Sequence, residues 1–367
     1  MVALKKQRIL TGDTPTGSLH LGHWVGSLEN RVALQDQYDC FFIIANMHAF
    51  TTQMTTPALI RAQVEEITLD YLAAGIDPKK SCIFLQSEIP AIAELCFLFS
   101  MLVPLPRLMR NPTIKSEIRD KKLGNNYPFG FLLYPIGQAA DILAFRADLV
   151  PVGEDQIPHL ELTREIARKF NQLYCNVDPQ TEDRDCIKQG GLFPIIEGKL
   201  GRVKRLVGLG APDKQGQLLK MSKSLNNAIY LKDDADTVRD KVMNMYTDPK
   251  RLRASDPGTV ENNPLWIFHE TFNSDEAWVK EAEAQYRAGK IGDVICKKKL
   301  VEVLNDFLGP MRERRKHYEQ DRSFILSVLK EGTARANQIT EETLWCAKEA
   351  IHQGYFQREL RVQEDFK

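Results

Sequence analysis

His20 and His23, three positions apart, lie in the stretch Thr11–Gly26 (TGDTPTGSLHLGHWVG), behind a short apolar run, Arg8-Ile9-Leu10, that reads as a buried first strand. The residues that follow, Ser27 to Gln35, have helical apolar spacing, so the local order is strand, Gly/Pro-punctuated turn, helix. That order presents free backbone N–H groups and a partial positive charge at a helix start, where an anion can sit, and a phosphate is the expected guest. At a spacing of three the two imidazoles share one face of the first helical turn. Gly22 between them removes a side chain where a flat base packs against backbone. Taken alone, His-x-Gly-His also fits two polar capping neighbours.

A second signal lies far downstream, in Lys220-Met221-Ser222-Lys223-Ser224, which follows the glycine-bearing stretch Gly208 to Gly216. Two ammonium groups on a loop suit a pyrophosphate whose charge must be held while it leaves. A short Lys/Ser run is also what a solvated loop looks like. The two stretches together, about a domain length apart, resemble the paired signatures of class I aminoacyl-tRNA synthetases.

These residues need a scaffold, and the intervening chain describes one. Asp39 to Ala45 is a continuous apolar run, as expected of a strand buried on both faces of a parallel sheet, and Asn46 to Phe50 sits just past its end. Pro57 opens a helix that Gly75 stops, Cys82 to Gln86 is a further strand, and a helix runs from about Ala91 to Met101. Asn111 to Phe131 is polar and glycine-rich and reads as an excursion from the core. The chain returns in the helix Leu132 to Phe145, which carries Gln138 and Asp141 on one face beside Ala and Gly. Asp148 to Val152 is the next strand, capped by Gly153-Glu154-Asp155-Gln156 at the end that faces a ligand crevice, and an amphipathic helix spans His159 to Phe170. Alternating strands and helices predict an α/β, doubly wound parallel sheet. From about Lys232 onward the pattern is helical throughout: Ala235 to Met245, Asn263 to Asn273, Ser274 to Ala288, Gly292 to Val328 and Glu331 to Tyr355.

Composition bounds the partners. The 367 residues suffice for two folding units, and 43% hydrophobic with 27% charged residues is the balance of a soluble globular protein. Lys+Arg and Asp+Glu are equal at 49 each, so no global positive field announces nucleic acid. Any tRNA contact has to come from local patches, of which Lys297-Lys298-Lys299 and Arg312-Glu313-Arg314-Arg315-Lys316 are candidates; a solvated helix face looks the same. The seven cysteines are scattered without a C-x-x-C pair, as expected of reduced thiols. No run is long and uncharged enough to span a membrane, and Met1 to Gln7 carries no apolar leader segment, so the cytoplasm is the expected location.

Amino-acid activation is an in-line attack of a carboxylate on the α-phosphate of ATP, and it needs positioning and charge neutralisation more than covalent help. His20 and His23 with the backbone around Gly22 suit the triphosphate, Lys220 and Lys223 suit its β- and γ-phosphates, and Asp155 and Gln156 suit ribose hydroxyls or an α-amino group. No His, Cys or carboxylate cluster has metal-ligand spacing, so Mg²⁺ is expected to arrive with the nucleotide. There is neither a P-loop nor a G-x-G-x-x-G.

The order Thr-Gly-Asp-Thr-Pro-Thr-Gly-x-Leu-His-Leu-Gly-His, Asn-Met-His-Ala, Tyr-Leu-Ala-Ala-Gly-Ile-Asp-Pro, Gln-Ala-Ala-Asp-Ile-Leu, Pro-Val-Gly-Glu-Asp-Gln-x-x-His-x-Glu-Leu-Thr-Arg and Lys-Met-Ser-Lys-Ser is similar to bacterial tryptophanyl-tRNA synthetases over essentially the whole chain. The resemblance implies a Rossmann-type catalytic domain over 1–230, including the Lys220–Ser224 loop, and an all-helical anticodon-binding domain over 231–367. It also implies a homodimer that uses ATP, L-tryptophan and tRNA(Trp) through a tryptophanyl-adenylate. Carried over by motif, Asp141 accepts the indole N–H, and Leu10, Gly12, His48, Tyr134, Gln138, Val150 and Val152 line the tryptophan pocket. Asp13, Thr14, Gly22, His23, Gly153, Asp155, Gln156, Lys220, Met221, Ser222 and Lys223 meet ATP. Lys115 is the choice for a further ATP-binding lysine, with Lys121 and Lys122 as competitors. Gln138 stands where many members carry Met, so Tyr134-x-x-x-Gln138-x-x-Asp141 also resembles the pattern of the sister tyrosyl enzymes. A synthetase-like paralogue that binds tRNA or tryptophan without charging is a third reading; intact His20, His23, Lys220 and Lys223 speak against it.

Overall fold

The computed structural model describes residues 6–360 except 121–123, 125, 204, 250, 252 and 254. Five parallel strands form one sheet in the order β3-β2-β1-β4-β5, with β1 at Arg8–Asp13, β2 at Asp39–Ile44, β3 at Ser81–Leu85, β4 at Leu149–Val152 and β5 at Glu197–Leu200. The first three strands step outward from β1, and the chain then returns to place β4 on the other side of β1. The point where the order reverses, between β1 and β4, is where such sheets bind ligands.

Between β1 and β2 lie a one-turn helix α1 (Leu21–His23), a π-helical turn (Trp24–Leu28) and α2 (Glu29–Leu34). α3 (Asn46–Gln53) and α4 (Pro57–Ala74) lead to β3. Pro57 opens α4 because its missing N–H has no partner at a helix start, and Gly75 closes it at φ 108, a conformation that disfavours side chains. α5 (Pro90–Ser100), α6 (Leu105–Met109), α7 (Pro112–Asp120) and α8 (Phe129–Ala144) precede β4, and α9 (Ile157–Tyr174) follows it. Part of the stretch read as an excursion, Asn111 to Phe131, is thus the helix α7, which buries Ile114 in the core.

The β-strand pleat divides the core. Ile9, Cys40, Phe42, Ile44, Ile83 and Leu85 face one side with Ile67 and Tyr71 of α4, while Leu10, Phe41, Ile43, Cys82 and Phe84 face the other with α5, α8 and α9. Both faces are covered, which is why β2 reads as an unbroken apolar run. β5 has no such signature: all of its residues are exposed and it ends the sheet.

After the Lys220 loop come α10 (Ala235–Met243), α11 (Pro264–Phe272), α12 (Glu276–Arg287), α13 (Asp293–Glu319) and α14 (Arg322–Ala350). The break between the last two helices falls at Gln320-Asp321, earlier than the sequence pattern predicts, because the Asp321 side chain caps α14 by accepting the Phe324 N–H at 2.9 Å. These helices share their core with the sheet. Leu300, Leu304 and Leu308 of α13 belong to the same core as Ile9 and Phe42, and Ala336, Leu344 and Ala347 of α14 join the opposite core. α14 covers the edge strand β3 at very close range: a Cβ on Gly332 would lie 1.9 Å from the Ile83 carbonyl oxygen.

The two basic clusters turn mostly inward. Lys297 Nζ donates to the Met243 and Met245 carbonyls, Arg312 to the Asp233 carbonyl and Arg314 to the Ala73 carbonyl, while Arg315 is buried among carboxylates. These four side chains are committed to contacts within the chain, while Lys298 and Lys316 are exposed. No helix of the described residues is long and apolar enough to cross a membrane.

Candidate active site

A cavity of about 740 Å³ opens at the carboxyl ends of β1, β2 and β4, floored by Gly12, Asp13, Val152 and Gly153. It collects almost every residue singled out in the sequence: Leu10, Gly12, Asp13, Thr14, His20, Gly22, His23, His48, Tyr134, Gln138, Asp141, Val150, Val152, Gly153, Asp155, Gln156, Lys220, Met221, Ser222 and Lys223 all line it. Lys115 does not; it stands exposed on α7. Lys121 and Lys122 lie outside the described residues, and Arg205 is a lining cation that sequence reasoning passed over.

The imidazole pair is built by reciprocal capping. His20 Nδ1 accepts the Gly22 N–H at 3.1 Å and His23 Nδ1 accepts the His20 N–H at 3.1 Å. With both Nδ1 atoms accepting, the protons sit on Nε2, and each ring has one N–H donor to offer. Burial, together with the neighbouring lysine charges, lowers His20 to about 2 and His23 to about 4, so both are neutral in the physiological range. A Cβ on Gly22 would lie 3.0 Å from the nearest atoms of the His20 ring, so a side chain there would press on the imidazole.

Asp13 is held by groups the sequence did not expose. Arg31 Nη1 donates to Asp13 Oδ2 at 2.7 Å, the Tyr71 hydroxyl donates to the same oxygen at 2.8 Å, and Arg31 Nη2 reaches the Gly12 carbonyl at 3.3 Å. Burial pushes the Asp13 carboxyl up, but the Arg31 charge and the hydrogen bonds from Arg31 and Tyr71 together outweigh it and hold the group at about 2. Asp13 is therefore a fixed negative charge under the turn, with one oxygen already committed. Arg31 sits inside the apolar face of α2, and only its register toward β1 reveals it.

The lysine loop is seated beside the turn. Leu21 N donates to the Ile229 carbonyl and Leu231 N to the Leu19 carbonyl, so the chain leaving the loop is laced to the chain carrying the histidines. Met221 is buried under Gly22. Asn227, another residue without a sequence signal, shapes the loop: its Oδ1 accepts the Ser222 N–H at 2.8 Å and its Nδ2 donates to the Lys220 carbonyl at 3.2 Å. Lys223 Nζ lies on the Gly17 carbonyl and Lys220 Nζ lies 3.8 Å from Asp155 Oδ2.

The opposite end of the cavity is less polar and contains one buried carboxyl. Asp141 on α8 is 3% exposed, and its oxygens accept from Gln86 Nε2 at 2.8 and 3.0 Å. Burial raises it to about 8 despite the Gln86 hydrogen bonds. His48 Nδ1 is 3.7 Å from Asp141, and burial lowers the imidazole to about 4, so the contact is between neutral groups, not an ion pair. Gln86 Nε2 also approaches His48 Nε2 at 3.3 Å and Gln86 Oε1 accepts the His48 N–H at 3.2 Å, which makes Gln86 the linker of the pocket. Tyr134 hydroxyl contacts His159 Nε2 at 3.1 Å and donates to Glu117 at 3.4 Å. Gln138 Nε2 donates to Gln156 Oε1 at 3.1 Å, and Gln156 to Asp155 at 3.2 Å, so the Gln138 side of the cavity connects by polar contacts to the Lys220 side.

A parallel sheet with its crevice at the reversal of strand order, and an imidazole pair with a two-lysine loop seated beside it, define the catalytic core of a class I aminoacyl-tRNA synthetase. The family model described as tRNA synthetases class I (W and Y) matches residues 3–309, and the chain belongs to that family, in its bacterial tryptophan branch. The tryptophan–tRNA ligase of Lactococcus lactis is 46% identical over 357 residues, covering 96% of this chain and 100% of the relative. That of Streptococcus pneumoniae is 46% identical over 358 residues with the same coverage. The crystal structure of Campylobacter jejuni tryptophanyl-tRNA synthetase complexed with ADP and tryptophan superposes with a TM-score of 0.76 at 30% identity, over 94% of this chain and 99% of that one. A tyrosyl-tRNA synthetase from Archaeoglobus fulgidus shares the fold at a TM-score of 0.60 and 22% identity, over 85% of this chain and 91% of that one.

Proposed function

We propose that this enzyme activates L-tryptophan with ATP, giving tryptophanyl-adenylate and pyrophosphate, and then transfers tryptophan to tRNA(Trp), with the cavity residues in the following roles. The carboxylate of tryptophan attacks the α-phosphorus; a C–O–P bond forms, the α–β bridging P–O bond breaks, and its electron pair leaves on pyrophosphate. The Nε2–H groups of His20 and His23 donate to phosphate oxygens, and the charges of Lys220 and Lys223 offset the negative charge that grows on the leaving pyrophosphate. Asp155 and Gln156 meet the ribose or the α-ammonium group. Asp141 accepts the indole N–H between His48, Tyr134 and the walls formed by Leu10, Gly12, Val150 and Val152. In the second step a ribose hydroxyl of the tRNA attacks the activated carbonyl, the bond to AMP breaks, and the hydroxyl proton passes to solvent.

The observation that carries this reading is the placement of the neutral imidazole pair and both lysines at one end of a single cavity whose other end is the buried Asp141. Relatives near 46% identity are tryptophan–tRNA ligases, whereas the tyrosyl likeness is one of fold alone, so tyrosine is not favoured. Among the described residues no three His, Cys, Asp or Glu side chains group as a metal site. Mg²⁺ would be carried by the triphosphate. Lys115 is kept as a candidate ATP lysine that must reach in from α7.

Residues 231–367 supply the helical unit that faces tRNA, and the cytoplasm is where translation would use it. For self-association we propose the face formed by α5, α6 and the start of α8, where Phe97, Met101, Leu105, Met109 and Phe129 are exposed. Amino-acid-dependent ATP–pyrophosphate exchange tests the reading: exchange with tryptophan but not tyrosine is expected. Exchange with tyrosine would reassign Gln138 and Asp141, and exchange with neither would leave a binding-only protein.

A further inference from the structure

We propose that Asp70 and Arg315 form a positioning clamp through which helix α13 fixes the turn that carries His20. This deepens the proposed function and rests on the crevice being a nucleotide site. Asp70 lies on α4, does not line the cavity, and is fully buried. Its two oxygens serve two different parts of the chain. Oδ2 accepts the backbone N–H of Leu19, the residue before His20, at 2.6 Å; Oδ1 accepts from Arg315 Nη1 of α13 at 2.6 Å. The remaining Arg315 nitrogens are also used: Nη2 donates to Glu66 Oε2 at 3.0 Å and Nε to Glu319 Oε1 at 2.5 Å. Glu66 Oε2 in turn accepts from Lys232 Nζ at 3.0 Å and from Ser18 Oγ at 3.5 Å.

One charged hub thus joins α4, α13, two consecutive residues of the histidine turn and Lys232. That lysine adjoins Leu231, whose N–H bonds the Leu19 carbonyl. Buried charges are an expensive way to hold two helices together, and an apolar pair of similar volume commonly does it as well or better. What an apolar pair cannot do is accept the Leu19 N–H, a buried donor that would otherwise be orphaned. The function left to the charge is registry: Asp70 sets the height of the turn, and Arg315 sets Asp70. The clamp touches neither Asp141, His48 nor Tyr134, so its effect falls on the nucleotide and spares tryptophan.

The test compares wild type, Arg315→Lys and the double variant Asp70→Leu/Arg315→Met, which removes both charges and so leaves neither uncompensated. ATP affinity by calorimetry and tryptophan affinity by fluorescence are measured beside the steady-state KM and kcat of exchange and the thermal midpoint. In the double variant ATP affinity, or kcat/KM for ATP, should fall about tenfold, the scale of one lost charge-assisted hydrogen bond. Tryptophan affinity should stay within about twofold, while the thermal midpoint falls by about a few degrees because the Leu19 N–H is left without its acceptor. Arg315→Lys, which keeps the charge but not the fork, should show a smaller loss in the same direction, and it decides the matter if the double variant does not fold. ATP and tryptophan parameters that move together, or that do not move at all, would overturn the clamp. A wild type without tryptophan-dependent exchange would instead sink the proposed function, and the calorimetric ATP comparison would still decide the clamp.

Discussion

Lys223 Nζ donates to the Gly17 carbonyl at 2.6 Å, so the second lysine of the loop rests on the histidine turn itself. Gly17 adopts φ 116, which a side chain would strain, and that conformation presents the carbonyl to the loop. Burial lowers the Lys223 ammonium from its ordinary value, so an incoming phosphate charge offers it a better partner than a neutral carbonyl. Lys223→Ala should slow exchange by about a hundredfold or more while tryptophan affinity stays within about twofold, because the charge is used mainly as pyrophosphate develops. Stopped-flow adenylate formation beside tryptophan fluorescence titration measures both. A variant with the wild-type activation rate would remove Lys223 from that role.

The reciprocal capping of His20 and His23 lets structure and chemistry be separated by choice of substitution. Asn at position 20 keeps an acceptor near Nδ1 for the Gly22 N–H and loses the donor at Nε2; Gln keeps a donor further out and loses the cap. His20→Asn should therefore melt near wild type yet activate tryptophan about a hundredfold more slowly. His20→Gln should lose about 1 kcal/mol of stability, as a missing cap does, with a smaller loss of rate. Equal rates in the two variants would mean that the ring donates nothing to ATP.

Much of this site is legible in sequence because its residues sit at punctuation: glycine and proline turns, strand ends and a Lys/Ser loop each have local signatures. The strands β1 to β4 are also readable, since burial on both faces leaves apolar runs such as Ile9-Leu10, Cys40 to Ile44 and Cys82 to Leu85. What could not be read depends on partners distant in sequence. Arg31 and Tyr71 meet Asp13 across 18 and 58 positions, and Gln86 meets Asp141 across 55. β5 lacks buried residues altogether, so pairing with β4 is all that makes it a strand. The Asp321 cap also shows why a helix boundary inside a long polar pattern was misplaced: one carboxylate settled it, not periodicity.

Gly332 carries the closest approach between the C-terminal helices and the sheet. Cys82 Sγ also donates to its carbonyl at 3.0 Å, so α14 and β3 are in direct backbone contact. Gly332→Ala would force α14 outward, and overpacking of this kind costs about 1–3 kcal/mol and sometimes more. The urea midpoint should fall while the denaturant slope stays constant. An unchanged midpoint would show that α14 can slide along the strand without loss.

Phe97 on α5 and Met101 at its C-cap are four residues apart and each is 66% exposed, on a face continued by Leu105 of α6. If this face joins two copies, Phe97→Asp with Met101→Asp should convert a dimer to a monomer in light scattering with sedimentation. A wild type that is already monomeric at micromolar concentration, or a variant that remains dimeric, would move the interface elsewhere.

With Asp141 as the proposed indole acceptor, tryptophan binding should depend on pH. Burial holds the Asp141 carboxyl at about 8, so near neutrality the folded protein keeps a proton there that the unfolded chain has already released. This group therefore lowers stability progressively as pH rises from the unfolded value near about 4 to the folded value, after which its effect is constant. For the ligand the sign is opposite. An indole N–H bonds more strongly to a carboxylate than to a neutral acid, so tryptophan favours the ionised form and its binding releases a proton. Affinity should rise by up to about tenfold per pH unit between roughly pH 6 and 8 and level off above. His48, neutral above about 4 by burial, adds no slope in that window. Asp141→Asn should flatten the profile and reduce discrimination against phenylalanine, which has no N–H to offer. Gln86→Ala, which removes the donors that partly offset burial, should shift the levelling point to higher pH. Tryptophan titrations across the range, for the three proteins side by side, read the slope directly; a wild-type profile as flat as that of Asp141→Asn would mean that Asp141 is not the indole acceptor.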